Sequence, residues 1–129
     1  MTHILDTHAL VWFLEKNPRL SDSAKKAILN PEAHIIIPTI VLTEVVFLYA
    51  KKRIASGLSA VLSDVGSLPN CTVYPLDEQV VLKLPTNLDI HDAIVVATGL
   101  LYRDLMGHNV SVITKDETIK KSRLIKTVW

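Results

Sequence analysis

Of the 13 acidic residues in this 129-residue chain, four stand where solvent does not account for them. Asp6 follows the apolar pair Ile4-Leu5 at the end of a predicted strand, and Glu44 sits among Ile40, Val41, Leu42, Val45, Val46, Phe47 and Leu48. Asp92 opens an apolar run beginning Ala93-Ile94-Val95-Val96, and Asp116 follows the apolar stretch Val110 to Thr114. Ionised Glu is almost never fully buried without a partner, so Glu44 in particular demands a reason. Glu15, Asp22, Glu32, Asp64, Asp77, Glu78 and Asp104 lie in polar or terminal stretches, where solvated charge suffices. Taken singly, Asp6, Asp92 and Asp116 also read as helix caps, with Asp89 and Asp92 as a capping pair.

If the four share a site, two carboxylates about 5 Å apart repel by about 3 kcal/mol at an effective dielectric near 20, and they raise one another's pKa. A positive group has to offset this. No Lys or Arg adjoins Asp6, Glu44 or Asp92, although Lys115 precedes Asp116. No Cys/His spacing suggests zinc. An all-oxygen donor set without a dedicated cage suits Mg²⁺ or Mn²⁺, and the chemistry that follows is metal-assisted attack of water on a phosphodiester.

The elements that must position these acids read as alternating strands and helices. Strands are expected at Ile4-Leu5, at His34 to Pro38, at about Thr72 to Tyr74 and at Val110 to Thr114, with Lys126 to Trp129 as a closing edge strand. Helices are expected from His8, from Ser21 to Asn30, from about Ile40 to Ile54 with Thr39 as N-cap and Gly57 closing it, over Leu58 to Leu68, around Asp77 to Leu84, and from Asp92 to Met106 with Gly107 as C-cap. This alternation implies βαβ crossovers and a mainly parallel sheet of four or five strands. In such sheets ligands sit outside the carboxyl ends of the strands, where Asp6 and Asp116 would stand.

Composition bounds the rest. A chain of 129 residues that is 49% hydrophobic fits a single domain, residues 1–129, with a well-filled core. No apolar run approaches the roughly 20 residues of a membrane span, and no secretory leader is visible, so a cytoplasmic protein is expected. The net charge of +1 excludes a generally basic nucleic-acid binder. Local clusters remain: Lys51-Lys52-Arg53, and the five basic residues between Lys115 and Trp129. They are either phosphate contacts or solvated helix ends. The single Cys71 cannot form an internal disulfide.

The order Leu5-Asp6-Thr7-His8, then Glu44, then Asp92-Ala-Ile-Val-Val-Ala-Thr98, then Thr114-Lys-Asp116 resembles the PIN-domain nucleases, particularly the small single-domain toxins of the VapC type. The resemblance covers nearly the whole chain. It implies a three-layer α/β/α fold and a Mg²⁺- or Mn²⁺-dependent endoribonuclease. It also implies an RNA substrate, a cognate antitoxin that blocks the acidic groove, and a homodimer. On this reading Asp6 and Asp92 hold the metal most directly, Glu44 binds it or orients the attacking water, and Asp116 holds a second metal or a water. Thr7 and Thr114 would support these acids through their hydroxyls, with Asp89 as an outer acid.

Three rivals share the fold class. An aspartate-based phosphatase wants a second acid two residues after the first, where His8 stands. A receiver domain needs paired acids after strand one, but Leu5 and Thr7 flank Asp6. A catalytically silent binding module would keep the acids as caps. His8 and His91 are candidate proton carriers with structural roles as the blander reading, and His3, His34 and His108 rank below them. Ala9 to Leu14, with Trp12 and Phe13, reads either as a buried helix or as a patch for another subunit or an antitoxin. Aromatic residues are only 5% of the chain, so no base-stacking platform is evident.

Overall fold

The computed structural model describes residues 1–129. Five strands form one sheet: β1 (Thr2–Leu5), β2 (His34–Pro38), β3 (Cys71–Tyr74), β4 (Val110–Ile113) and β5 (Lys126–Val128). The order is β3-β2-β1-β4-β5 and every pairing is parallel. Seven helices connect them: α1 (Thr7–Leu14), α2 (Asp22–Leu29), α3 (Thr39–Ala50), α4 (Leu58–Ser67), α5 (Glu78–Leu82), α6 (Ile90–Asp104) and α7 (Glu117–Ser122).

Apolar runs form the inner strands because both faces of the sheet are covered. Ile4, Leu5, Ile36, Ile37, Val112 and Ile113 are completely buried, and burying each such side chain stabilises the fold by about 1.5–3 kcal/mol. From β1 the chain winds outward to β2 and β3, then crosses back to β4 and β5. The direction reverses between β1 and β4, whose carboxyl ends flank the crevice where ligands of open α/β sheets bind. The longest helix, α6, presses onto the sheet through Gly99: a Cβ there would meet Ile125 Cδ1 at 2.5 Å and Ile4 Cγ1 at 3.3 Å. No helix is long and apolar enough to cross a membrane.

Several local expectations are corrected. Thr39 is the first helical residue of α3, with Pro38 at the N-cap; its hydroxyl instead accepts from the Leu76 N–H at 3.1 Å. The α3 helix ends at Ala50, short of Ile54, because Lys52 takes a left-handed backbone (φ 58°), and Gly57 begins α4. Asp89 occupies the α6 N-cap position, but its side chain accepts no capping bond, so no Asp89–Asp92 capping pair forms. The α1 helix is not buried on every face: Trp12, Phe13 and Leu14 are half-buried.

Candidate active site

Asp6 leaves β1 and caps α1, its Oδ1 accepting from the Ala9 N–H at 2.9 Å. Its other oxygen, Oδ2, accepts from the hydroxyl of Thr114, a buried residue just past β4. That hydroxyl in turn accepts from the Asp116 N–H at 3.0 Å. Asp116 caps α7, Oδ1 accepting from the Ile119 N–H at 3.0 Å. The capping role and the pocket role therefore coexist in both residues. The carboxyl ends of β1 and β4 are tied together through one threonine.

Opposite them, Glu44 projects from the second turn of α3. It is not fully buried; its side chain is 32% exposed and doubly partnered. Thr7, buried at the start of α1, donates its hydroxyl to Glu44 Oε2 at 2.6 Å. His91 Nε2 lies 2.6 Å from the same oxygen, and His91 Nδ1 lies 3.9 Å from Asp92 Oδ1. Asp6, Thr7, Glu44, Asp92 and Asp116 thus line one cavity of about 390 Å³, together with His8, Trp12, His91 and Lys115. Thr114 supports it from beneath, whereas Asp89 does not line it and is exposed.

The electrostatics follow from this packing. Burial holds the Asp6 carboxyl above its ordinary range; the Thr114 hydroxyl and the Ala9 N–H pull it back, and Asp116 adds repulsion. Burial also raises Asp92, and Asp116 pushes in the same direction. Glu44 goes the other way: the His91 hydrogen bond, aided by Thr7, holds it at about 2 despite its partial burial. His91 is correspondingly raised by that hydrogen bond, against the burial that opposes its charge.

A divalent cation is the group such a pocket invites, and the donor set answers in part. No three acidic, histidine or cysteine side chains converge tightly enough to cage an ion. The acids offer hard oxygens, and several of these are already committed to protein donors. That arrangement fits Mg²⁺ or Mn²⁺, which keep several waters and need only one or two carboxylates directly, and it does not fit zinc. The raised Asp6 and Asp92 carboxyls are those that a nearby cation would return to the ionised form.

The sequence marks His91 as a candidate proton carrier but not as the partner of Glu44, and it gives Trp12 no pocket role. A signal for His91 was present, since it is the histidine directly beside Asp92. His8 and Trp12 stand at i, i+4 spacing on one helix, which places them on one face, and their rings lie 5.2 Å apart. A second depression of about 690 Å³ lies beyond Trp12, lined by Phe13, Leu14, Leu20 and Leu29 among others. Although larger, it holds none of the clustered acids, so the chemistry is sought in the smaller one.

Fold and cavity together define an α/β protein with an acidic pocket at the point where its parallel sheet reverses direction. Residues 3–123 match the family model for the PIN domain. The chain belongs to the PIN-domain family. Among solved structures it is similar to VapBC2 from Rickettsia felis bound to a DNA fragment from their promoter, at 17% identity and a TM-score of 0.67, with 98% of this chain and 97% of that one covered. It is also similar to VapBC-1 from nontypeable Haemophilus influenzae, at 14% identity and a TM-score of 0.61, covering 98% and 96%. No curated protein matches the chain.

Proposed function

We propose that this PIN-domain protein is a Mg²⁺- or Mn²⁺-dependent endoribonuclease, the toxin of a type II toxin-antitoxin pair, acting in the cytoplasm as one nuclease domain. The observation that carries this reading is the convergence of Asp6, Glu44, Asp92 and Asp116, from four separate elements, on one cavity at the sheet's switch point. Family membership supports nuclease chemistry, and the likeness to two VapBC assemblies supports an antitoxin partner.

Asp6 and Asp92 are the residues that would hold the cation, with Asp116 holding a second ion or a water. A bound divalent ion supplies a water made acidic enough to attack at neutral pH and a positive field for the phosphate. Thr114 fixes the Asp6 carboxylate through its hydroxyl, and Thr7 fixes Glu44. Glu44, ionised well below neutral pH, accepts a hydrogen bond and is suited to orient a water. His91 meets that carboxylate across the pocket through its Nε2.

The deciding experiment incubates the purified protein with total RNA and with several structured RNAs, with and without a chelator. Chelator-sensitive cleavage that Asp92→Asn abolishes is expected; undiminished cleavage by that variant removes the mechanism. A silent binding module is the second reading, favoured by one observation: Asp6, Glu44 and Asp116 each accept a hydrogen bond from the protein. Absence of cleavage under any divalent ion would select it. For the partner, co-purification with the product of an adjacent short open reading frame is expected.

A further inference from the structure

The side chain of Trp12 belongs to both depressions: it lines the acidic cavity and the larger apolar one. Its indole is half-buried and held edge-to-face by Trp129, with centroids 5.8 Å apart. Two cations, the Arg19 guanidinium and the Lys115 ammonium, each sit 5.9 Å from its ring centre. Both cationic residues are exposed, and Lys115 also lines the acidic cavity directly before Asp116.

A core tryptophan would be covered by apolar side chains. This one is instead presented on the wall of an acidic cavity, braced by Trp129 and flanked by His8, with the cations of two exposed side chains over the ring. Those are the parts of a site for single-stranded nucleic acid: an aromatic surface on which a base stacks, and positive side chains that meet the flanking phosphates. The depression beyond Trp12 balances Lys16 and Lys25 with Asp22 and Asp64, whereas Arg19 and Lys115 gather at the indole itself.

Resting on the nuclease reading, we infer that Trp12 is a positioning residue for RNA. A base next to the cleaved linkage stacks on its indole, and Lys115 and Arg19 hold the adjoining phosphates. Stacking is tolerant of base identity, so Trp12 sets the distance between substrate and acids without selecting a sequence.

The test measures fluorescence anisotropy of labelled oligoadenylate, oligouridylate and an abasic phosphoribose oligomer of equal length, in Mg²⁺ on an Asp92→Asn background. Trp12→Leu is expected to weaken both base-bearing oligomers about tenfold while leaving the abasic one unchanged, and Trp12→Phe to stay within about threefold of the parent. Lys115→Gln is expected to weaken all three and to lower the salt dependence by about one phosphate contact. Equal affinity of the Trp12→Leu protein and its parent for the base-bearing oligomers overturns the inference and leaves Trp12 as a protein-contact residue. Should Trp12→Leu not fold, the parent carries the test: base-bearing and abasic oligomers bound equally well overturn the platform. Wild-type cleavage is assayed in parallel. A protein that binds through Trp12 but does not cleave removes the nuclease reading alone, and one that cleaves without needing Trp12 for binding removes the platform alone.

Discussion

His91 and Glu44 meet across the mouth of the acidic pocket, Nε2 to Oε2 at 2.6 Å, and so join α6 to α3 at a point where no backbone bond does. The same carboxylate oxygen takes the Thr7 hydroxyl from α1, which makes Glu44 the meeting point of three helices.

This pair gives stability a defined pH dependence. His91 is raised above its ordinary 6.5, so its contribution is complete below that value and fades as pH rises through the raised one. Glu44 is lowered from 4.5 to about 2, so its contribution is complete above 4.5 and fades as pH falls toward 2. His91→Gln keeps a hydrogen-bond donor and removes the charge. The metal-free variant should be less stable than wild type between about pH 4.5 and 6.5, by under about 1 kcal/mol for so exposed a pair, and the deficit should shrink as pH rises above that window. Urea melts at pH 5.5 and 9 measure this; a deficit independent of pH would show that the charge is idle.

Asp6→Asn separates catalysis from folding. Asparagine can still accept from the Ala9 N–H, so the α1 cap survives. Because the folded-state pKa of Asp6 is raised from 3.8, the ionised group opposes folding: the loss grows as pH rises from 3.8 and is complete above the raised value. The metal-free variant should melt at or above the wild-type temperature at pH 7, while metal-dependent cleavage falls about 100-fold or more. A variant that melts lower and still cleaves would contradict both halves.

Divalent ions should stabilise the wild type by mass action on the folded state. Millimolar Mg²⁺ or Mn²⁺ is expected to add about 1–3 kcal/mol, a rise of a few degrees in Tm. The Asp6→Asn/Asp92→Asn double variant should not respond. Calorimetry with and without EDTA reads this out, and a flat wild-type response would argue for the silent module.

At Gly99 the limit is space. Gly99→Ala gains about 1 kcal/mol of helix propensity but crowds Ile125, which typically costs about 1–3 kcal/mol, so a net loss of about 1 kcal/mol is expected. Adding Ile125→Val removes the atom at 2.5 Å and should recover most of that loss. Additive losses in the double-mutant cycle would show that the helix has room to shift.

The homodimer that the family resemblance implies has a surface available. Phe47 on α3, Leu82 on α5 and Ile90 on α6 are 61%, 77% and 79% exposed, and α3 and α5 both pack against α6, so a second copy could cover the three together. Light scattering should return about twice the 14.3 kDa chain mass. Leu82→Asp should bring it to the single mass, and a wild type already at that mass would exclude the assembly.

The sheet was legible because buried parallel strands must be short apolar runs, and all five appear within a residue or two of the expected bounds. Glu44 was legible because a carboxylate on an apolar helix needs a partner. What that partner was could not be read: His91 reaches Glu44 only after α6 has crossed the sheet to stand beside α3. The end of α3 was misread because nothing in Ala50 to Ile54 forbids helix, and a left-handed lysine stops it before the glycine does. Asp89 stands outside the cavity while its charge helps to raise Asp92, a role that sequence alone does not separate from capping, because acidic type and helix-start position are all that a capping residue displays.

The two sides of the pocket are built differently. On one, Asp6, Thr114 and Asp116 form a lattice pinned to main-chain amides of α1 and α7, with each acid holding a helix end in place. On the other, Glu44 and His91 clasp each other through side chains alone. Any accommodation of an incoming strand must then fall on α3 and α6, so the half of the cavity that tunes its fit is the half whose clasp can open without unravelling a helix.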